Sequence, residues 1–281
     1  MGINIFLLHG FLGLPQDMEP LEHPLRAKFS ARQKTDSTKP DLLEKNQSNS
    51  VDLTVNRNEI RFIRVSLWNL ISEEDLSSES SGHGFDRFAK AFLQKFSADL
   101  PVQDNFLVGY SLGGRLCLSL LENDKQGFFK KVFLLSAHPG LVGPTEVIQE
   151  RQNNDKKWAE VFLQKPWDEV LQKWNSQDVF QSGATEPVRI EYEFSKNKLA
   201  YALTAWSLAL QKDHRPLIQQ KADQVSVFVG EKDHKFLQVW SDVQKQMVGK
   251  LSLQIISQAG HRLHLDQPQA VADAIADEVL G

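Results

Sequence analysis

Short, largely apolar runs alternate along this chain with segments of helical spacing, and that alternation limits the fold more than any other feature. The runs are "INIFLL" (3–8), "IRFIRVSLW" from Ile60 to Trp68, the stretch ending "FLVGY" at Tyr110, "KVFLLSA" (131–137), "VSVFVG" (225–230) and "LSLQIIS" (251–257). A short apolar run bounded by turn residues reads as a strand buried on both faces. Strands that alternate with helices predict an α/β fold, a mostly parallel doubly wound sheet of about six strands. From His138 to Arg215 the strand signal disappears, and helical spacing with Trp158, Trp167, Trp174 and Trp206 replaces it. The expected organisation is a core of residues 1–137 and 215–281 with a helical cap, 138–214, inserted between strands. The polar stretch Lys34–Asn58 and the acidic "SEEDLSSESSGHG" read as solvent-exposed excursions.

Within this pattern, "DNFLVGYSLGGRL" (104–116) places a serine on the turn between a buried strand and a helix. Gly109 and Gly113 frame Ser111 as G-x-S-x-G, the spacing of a nucleophile elbow, where small residues allow a tight, strained turn around an exposed hydroxyl. A serine hydroxyl needs a base, and the base needs a buried carboxylate to orient it. "VFVGEKDHKF" supplies Asp233 after one strand and "IISQAGHRLH" supplies His261 after the next. Loops at the carboxyl ends of parallel strands share one crevice, so the three can converge. Leu112, following the serine, is expected to give one oxyanion-hole N–H, and the glycine-bearing turn "LLHGFLG" the other, from Phe11 in preference to Leu12.

Bulk properties exclude other classes. A net charge of −4 with scattered Lys and Arg offers no basic field for nucleic acid. No apolar run approaches the ~18 residues of a membrane span. The single cysteine, Cys117, lies on an apolar helix face and reads as a buried structural thiol; it excludes an internal disulfide and any cysteine-rich metal site. His9 is expected to brace the oxyanion turn, His138 to serve a Pro-Gly turn, and His234 and His264 to lack the partners of a metal site. No metal and no cofactor are expected. The chain begins with neither a basic start nor a small-residue cleavage site, which predicts a cytoplasmic protein.

The chain resembles the α/β-hydrolase fold proteins, and among them the 2-succinyl-6-hydroxy-2,4-cyclohexadiene-1-carboxylate synthases of menaquinone biosynthesis. The resembling residues are "LHGFLG" (8–13), "VGYSLGGR" (108–115), "HPGL" (138–141), "WAEVF" (158–162), "SLALQ" (207–211), "GEKDHKF" (230–236) and "AGHRLH" (259–264). The resemblance implies a lyase whose triad acts as a base, so that pyruvate leaves a polycarboxylate by elimination. It also implies that Tyr110, Arg115, Arg151, Trp174 and Phe180 bind that anionic substrate. Arg115 stands one helical turn beyond Ser111 and can face the same pocket. A further cap arginine is expected near position 191, where the chain carries Glu191, with Arg189 two residues away. The same triad would also suit a carboxylesterase or thioesterase of a small acyl substrate, and the fold also hosts non-enzymatic binding proteins.

Overall fold

The computed structural model describes residues 2–37, 59–77, 83–97, 104–184, 186–247 and 251–281. Its strands are β1 (Ile3–Leu8), β2 (Ile60–Val65), β3 (Asp104–Tyr110), β4 (Phe129–Leu135), β5 (Val225–Gly230) and β6 (Ser252–Ile256). Eleven helices are described: α1 (Glu19–Ser37), α2 (Glu73–Ser77), α3 (Gly84–Ser97), α4 (Leu112–Asn123), α5 (Thr145–Gln164), α6 (Trp167–Asn175), α7 (Lys196–Ala205), α8 (Arg215–Gln220), α9 (His234–Gln246), α10 (Leu263–Asp266) and α11 (Pro268–Leu280). The six strands form one sheet in the order β2-β1-β3-β4-β5-β6, every pair parallel.

The period of two along each strand divides the core. Phe6, Leu8, Leu107, Val132 and Leu134 face one side, where they meet Phe88 and Phe92 of α3 and Leu116 and Leu120 of α4. Ile5, Leu7, Phe106, Val108, Phe133 and Leu135 face the other, against Leu21 and Leu25 of α1 and Val271 and Ile275 of α11. Burial on both faces is what makes these strands continuous apolar runs. Cys117 is fully buried and its thiol is pushed up by desolvation, as an inert packing residue should be.

Strand order reverses between β1 and β3: β2 lies on one side of β1, and β3 to β6 run outward on the other. Loops leaving the carboxyl ends of β1 and β3 therefore diverge and open a crevice between them. Between β4 and β5 the chain forms α5 to α8 and no strand among the described residues, with α5 lying along α7.

Three expectations change. The second strand ends at Val65, because Leu67–Leu70 coil into a 3-10 turn. The exposed excursion expected over Lys34–Asn58 begins inside α1, which runs to Ser37, and residues 38–58 lie outside the described residues. The acidic run is not wholly a solvated face: Asp75 is buried, accepts bonds from the Ser72 amide and hydroxyl, and pairs with Arg87 at 2.8 Å.

The approach of α4 to β1 is close enough to require glycine. A Cβ on Gly113 would lie within 2.5 Å of the His9 carbonyl oxygen. Alanine normally favours a helix over glycine by ~1 kcal/mol. Here the steric penalty should win, at roughly 1–3 kcal/mol. Gly113→Ala is thus expected to lower the melting temperature by roughly 2–10 °C, read by thermal unfolding; an unchanged or raised value would show that α4 can shift outward freely.

Candidate active site

Ser111 occupies the sharp turn between β3 and α4 with φ 50° and ψ −109°, a backbone region that side chains with a Cβ rarely enter. The turn is held from both ends. The Ser111 amide donates to the Leu135 carbonyl at 2.8 Å, and its own carbonyl accepts the Arg115 amide at 3.1 Å as the first bond of the helix. This geometry lifts the hydroxyl out of the sheet at the positive end of α4.

Asp233 follows β5 and caps α9, accepting the Phe236 amide. The loop after β6 packs against it: the Lys232 amide donates to the Ala259 carbonyl at 2.8 Å. This juxtaposition places His261 Nδ1 2.6 Å from Asp233 Oδ2 and His261 Nε2 3.2 Å from Ser111 Oγ. A carboxylate only accepts, so Nδ1 carries the proton and Nε2 presents its lone pair to the serine hydroxyl. Asp233 and His261 are buried, with Phe236 4.7 Å and Phe180 5.8 Å from the imidazole centre.

The turn after β1 lies directly beside the elbow. A Cβ on Gly10 would fall 3.6 Å from Ser111 Cβ and against the Tyr110 ring. His9 braces this turn, donating from Nδ1 to the Gly10 carbonyl at 2.8 Å and accepting the Leu67 amide at Nε2. Burial holds its pKa down at about 4, so it stays neutral. Leu12 takes φ 56°, and the Gly13 amide closes the turn on Gly10. Phe11 and Leu112 border the same cleft as Ser111.

That cleft measures about 810 Å³ out to its open mouth. Besides Ser111 and His261 it is bordered by three cations, Arg115, Arg151 and Lys235, and one carboxylate, Asp155. Asp155 is already engaged, by Arg151 at 2.9 Å and by the Ser207 hydroxyl at 2.7 Å. Arg115 gives one Nη to the Trp206 carbonyl, while its buried Nε has no partner among the described residues. Desolvation, reinforced by Arg151, lowers its pKa to about 9, which leaves it charged at neutral pH. Trp174 and Phe180 form an aromatic wall with Phe11, the Phe11 and Trp174 centroids 4.7 Å apart.

Asp233 stands behind His261, and of the other sequence-predicted site residues the structure brings all but one to this cleft. The exception is Tyr110. Its ring lies tilted 4.1 Å from His264 and borders a second, smaller chamber with Asp17, Glu186, Arg189 and Arg262. Strand alternation puts Tyr110 on the same face as Phe106 and Val108, and the turn at Ser111 then breaks that alternation, so that Leu112 packs on the opposite side. Glu191 does not repel an anion in the cleft: it is exposed and pairs with Lys196 at 2.8 Å, while Arg189 is the residue that turns inward. Sequence reasoning missed Lys235, Asp155, Gln177 and Ser136 as cleft residues. Lys235 could have been found, since it lies two residues beyond Asp233 on the first turn of α9. Among the described residues no cluster of His, Cys, Asp and Glu could hold a metal ion.

Comparisons with known proteins agree with this fold. The profile of the alpha/beta hydrolase family matches residues 5–274. A 2-succinyl-6-hydroxy-2,4-cyclohexadiene-1-carboxylate synthase of Klebsiella pneumoniae is 34% identical over 66% of this chain and 71% of its own length. The synthase of Escherichia coli K12 is 31% identical over 71% of this chain and 77% of its own. Among solved structures, MenH from S. aureus superposes with a TM-score of 0.68 at 20% identity, covering 99% of this chain and 93% of that one. An esterase from Exiguobacterium antarcticum superposes at 0.60 and 16% identity over 100% of this chain and 92% of its own, a likeness of fold.

Three histidines around the site are held neutral by burial: His9 at about 4, and His138 and His264 each at about 3. Their folded values lie below the ordinary ~6.5, so the unfolded chain takes up these protons first. Stability is full above pH ~6.5 and is lost as the pH falls toward those folded values. The urea midpoint should therefore fall steadily on acidification below pH ~6.5, and the three imidazoles should show no NMR titration above pH ~5.5. Titration of any of them near pH ~6.5 in the folded protein would contradict the burial argument.

Proposed function

The chain belongs to the alpha/beta hydrolase family, and we propose that it works there as a 2-succinyl-6-hydroxy-2,4-cyclohexadiene-1-carboxylate synthase, eliminating pyruvate from a polycarboxylate precursor in menaquinone biosynthesis. The observation that carries this reading is the charge of the cleft: a Ser111–His261–Asp233 relay opens onto Arg115, Arg151 and Lys235, opposed by one carboxylate that is already paired. Such a surplus of cations suits a substrate with several carboxylates.

In this mechanism His261 Nε2 accepts the Ser111 proton while Asp233 stabilises the imidazolium. The serine oxygen then removes a proton from a substrate carbon. Electron density moves through the ring, the carbon–oxygen bond to the pyruvyl group breaks, and pyruvate departs as its enolate. The proton held by the relay returns to that enolate, so none is gained or lost. The Phe11 and Leu112 amides stabilise the carbonyl oxygen that becomes negative as the carbon is deprotonated. Arg115 and Arg151 hold carboxylates, and residues 138–214 act as a cap whose Trp174 and Phe180 keep water from the reacting atoms. A buried, lone cysteine suits a cytoplasmic setting.

Ser111→Ala should reduce turnover by at least ~10³-fold with the fold intact, and Asp233→Asn less, since it orients rather than carries the proton. Arg115 separates the lyase from an ester hydrolase using the same relay. Losing a charge-assisted bond in a sheltered pocket costs roughly 1.5–3 kcal/mol. Arg115→Ala should thus lower kcat/KM for the polycarboxylate ~10- to 150-fold and leave a neutral short-chain ester within a few-fold. A wild-type protein that hydrolyses esters rapidly and never releases pyruvate would overturn the lyase assignment.

A further inference from the structure

His261 is bracketed by two anchors that lead away from the cleft to the same short segment. On one side the Gly260 amide donates to Asp266 Oδ2 at 2.7 Å, and the other oxygen of Asp266 accepts the Ala184 amide. On the other side the Arg262 guanidinium donates to the Ala184 carbonyl at 2.9 Å, pairs with Glu186, and lies 4.3 Å over the Phe180 ring. A Cβ on Gly260 would come within 2.9 Å of the Ser182 backbone, so segment and histidine loop touch at glycine distance.

The chain of charges continues past Arg262. Glu186 also pairs with Arg189 at 2.6 Å, Arg189 pairs with Asp17 at 2.7 Å, and Asp17 accepts the Leu14 amide, directly after the oxyanion turn. The side chains of Asp17, Glu186, Arg189 and Arg262 are 10, 13, 5 and 5% exposed. Two acids and two bases cancel, and Glu186 is the link between the two arginines. Opposite charges this far from water hold their geometry tightly when complete, and removing one partner strands a buried charge.

We propose that the strap carrying Ala184, Glu186 and Arg189 is a positioning element for His261, registering the histidine loop against the oxyanion turn through the chain Asp17–Arg189–Glu186–Arg262. Glu186 is its central positioning residue. It touches no reacting atom and acts through Arg262, whose backbone is continuous with His261. The inference rests on the proposed Ser111–His261 relay but not on the identity of the substrate. A shift of ~1 Å in the imidazole would be felt as roughly a 10²-fold loss in proton transfer.

The test is the second-order rate at which a fluorophosphonate labels Ser111, a reaction in which the serine oxygen attacks phosphorus, fluoride leaves and the proton passes to His261. Turnover of the polycarboxylate per labelled site and its KM are measured beside it. Glu186→Gln should slow labelling and kcat per labelled site together by about 10- to 100-fold with KM within about twofold, because alignment rather than binding is lost. Glu186→Asp should fall between it and wild type. The double variant Glu186→Gln with Arg262→Gln should recover part of the loss, since it removes the stranded guanidinium, and serves in place of Glu186→Gln if the single variant does not fold. Wild-type labelling rates in variants whose melting temperature has dropped would reduce the strap to a structural role and overturn the proposal. A wild type that labels rapidly yet releases no pyruvate sinks the lyase reading alone. Failure of the wild type to label sinks the relay and the strap together.

Discussion

The contact between the first turn of α4 and the end of β1 fixes where every reacting group can stand. Gly113 lets the helix approach the Leu8 and His9 carbonyls to a separation no side chain would permit. That approach sets the elbow beside the turn at Gly10, so that Phe11 and Leu112, the residues that follow two different strands, border one cleft with Ser111. The reversal of strand order between β1 and β3 supplies the crevice, and the glycine supplies its width. A wider spacing would leave the sheet intact and the two amides too far apart to share one charge.

Two chambers meet at Ser111 and differ in electrostatic character. The larger one carries cations in excess, one of them buried and incompletely bonded. In the smaller one, the charges of Arg189 and Arg262 are cancelled by Asp17 and Glu186. Phe11, Trp174 and Phe180 border both. Positive charge is thereby available to a ligand on one side of the aromatic wall and committed to the protein's own architecture on the other.

The sheet, the helical stretch between β4 and β5, and the Ser, Asp and His loops were readable because each is written in local period or in residue order after a strand. The apolar runs lie on both faces of a layered core, so period and burial agree. The elements that escaped are those where local pattern and environment conflict. Helix α1 carries Pro24 and many charged residues, and its buried face is the thin stripe of Leu21, Leu25 and Phe29. Around Arg189 the pattern is inverted: Val188 and Tyr192 are 86 and 85% exposed while the arginine between them is buried. Only the acids Asp17 and Glu186 make that inversion tolerable, and they lie 172 and three residues away. Long-range ion pairs leave no trace in local spacing. Arg115 was placed in the pocket by its one-turn offset from Ser111, but its bond to the Trp206 carbonyl was not foreseeable, because that partner is 91 residues away.

The backbone of Ser111 carries a further consequence. Its φ of 50° and ψ of −109° are tolerated by glycine far better than by serine. A chain selected for stability alone would therefore drift toward glycine at this position and relax the turn. Serine stands there against the conformational preference of its own main chain, so the elbow sets robustness against reactivity, and a demand for the hydroxyl is what favours serine over glycine.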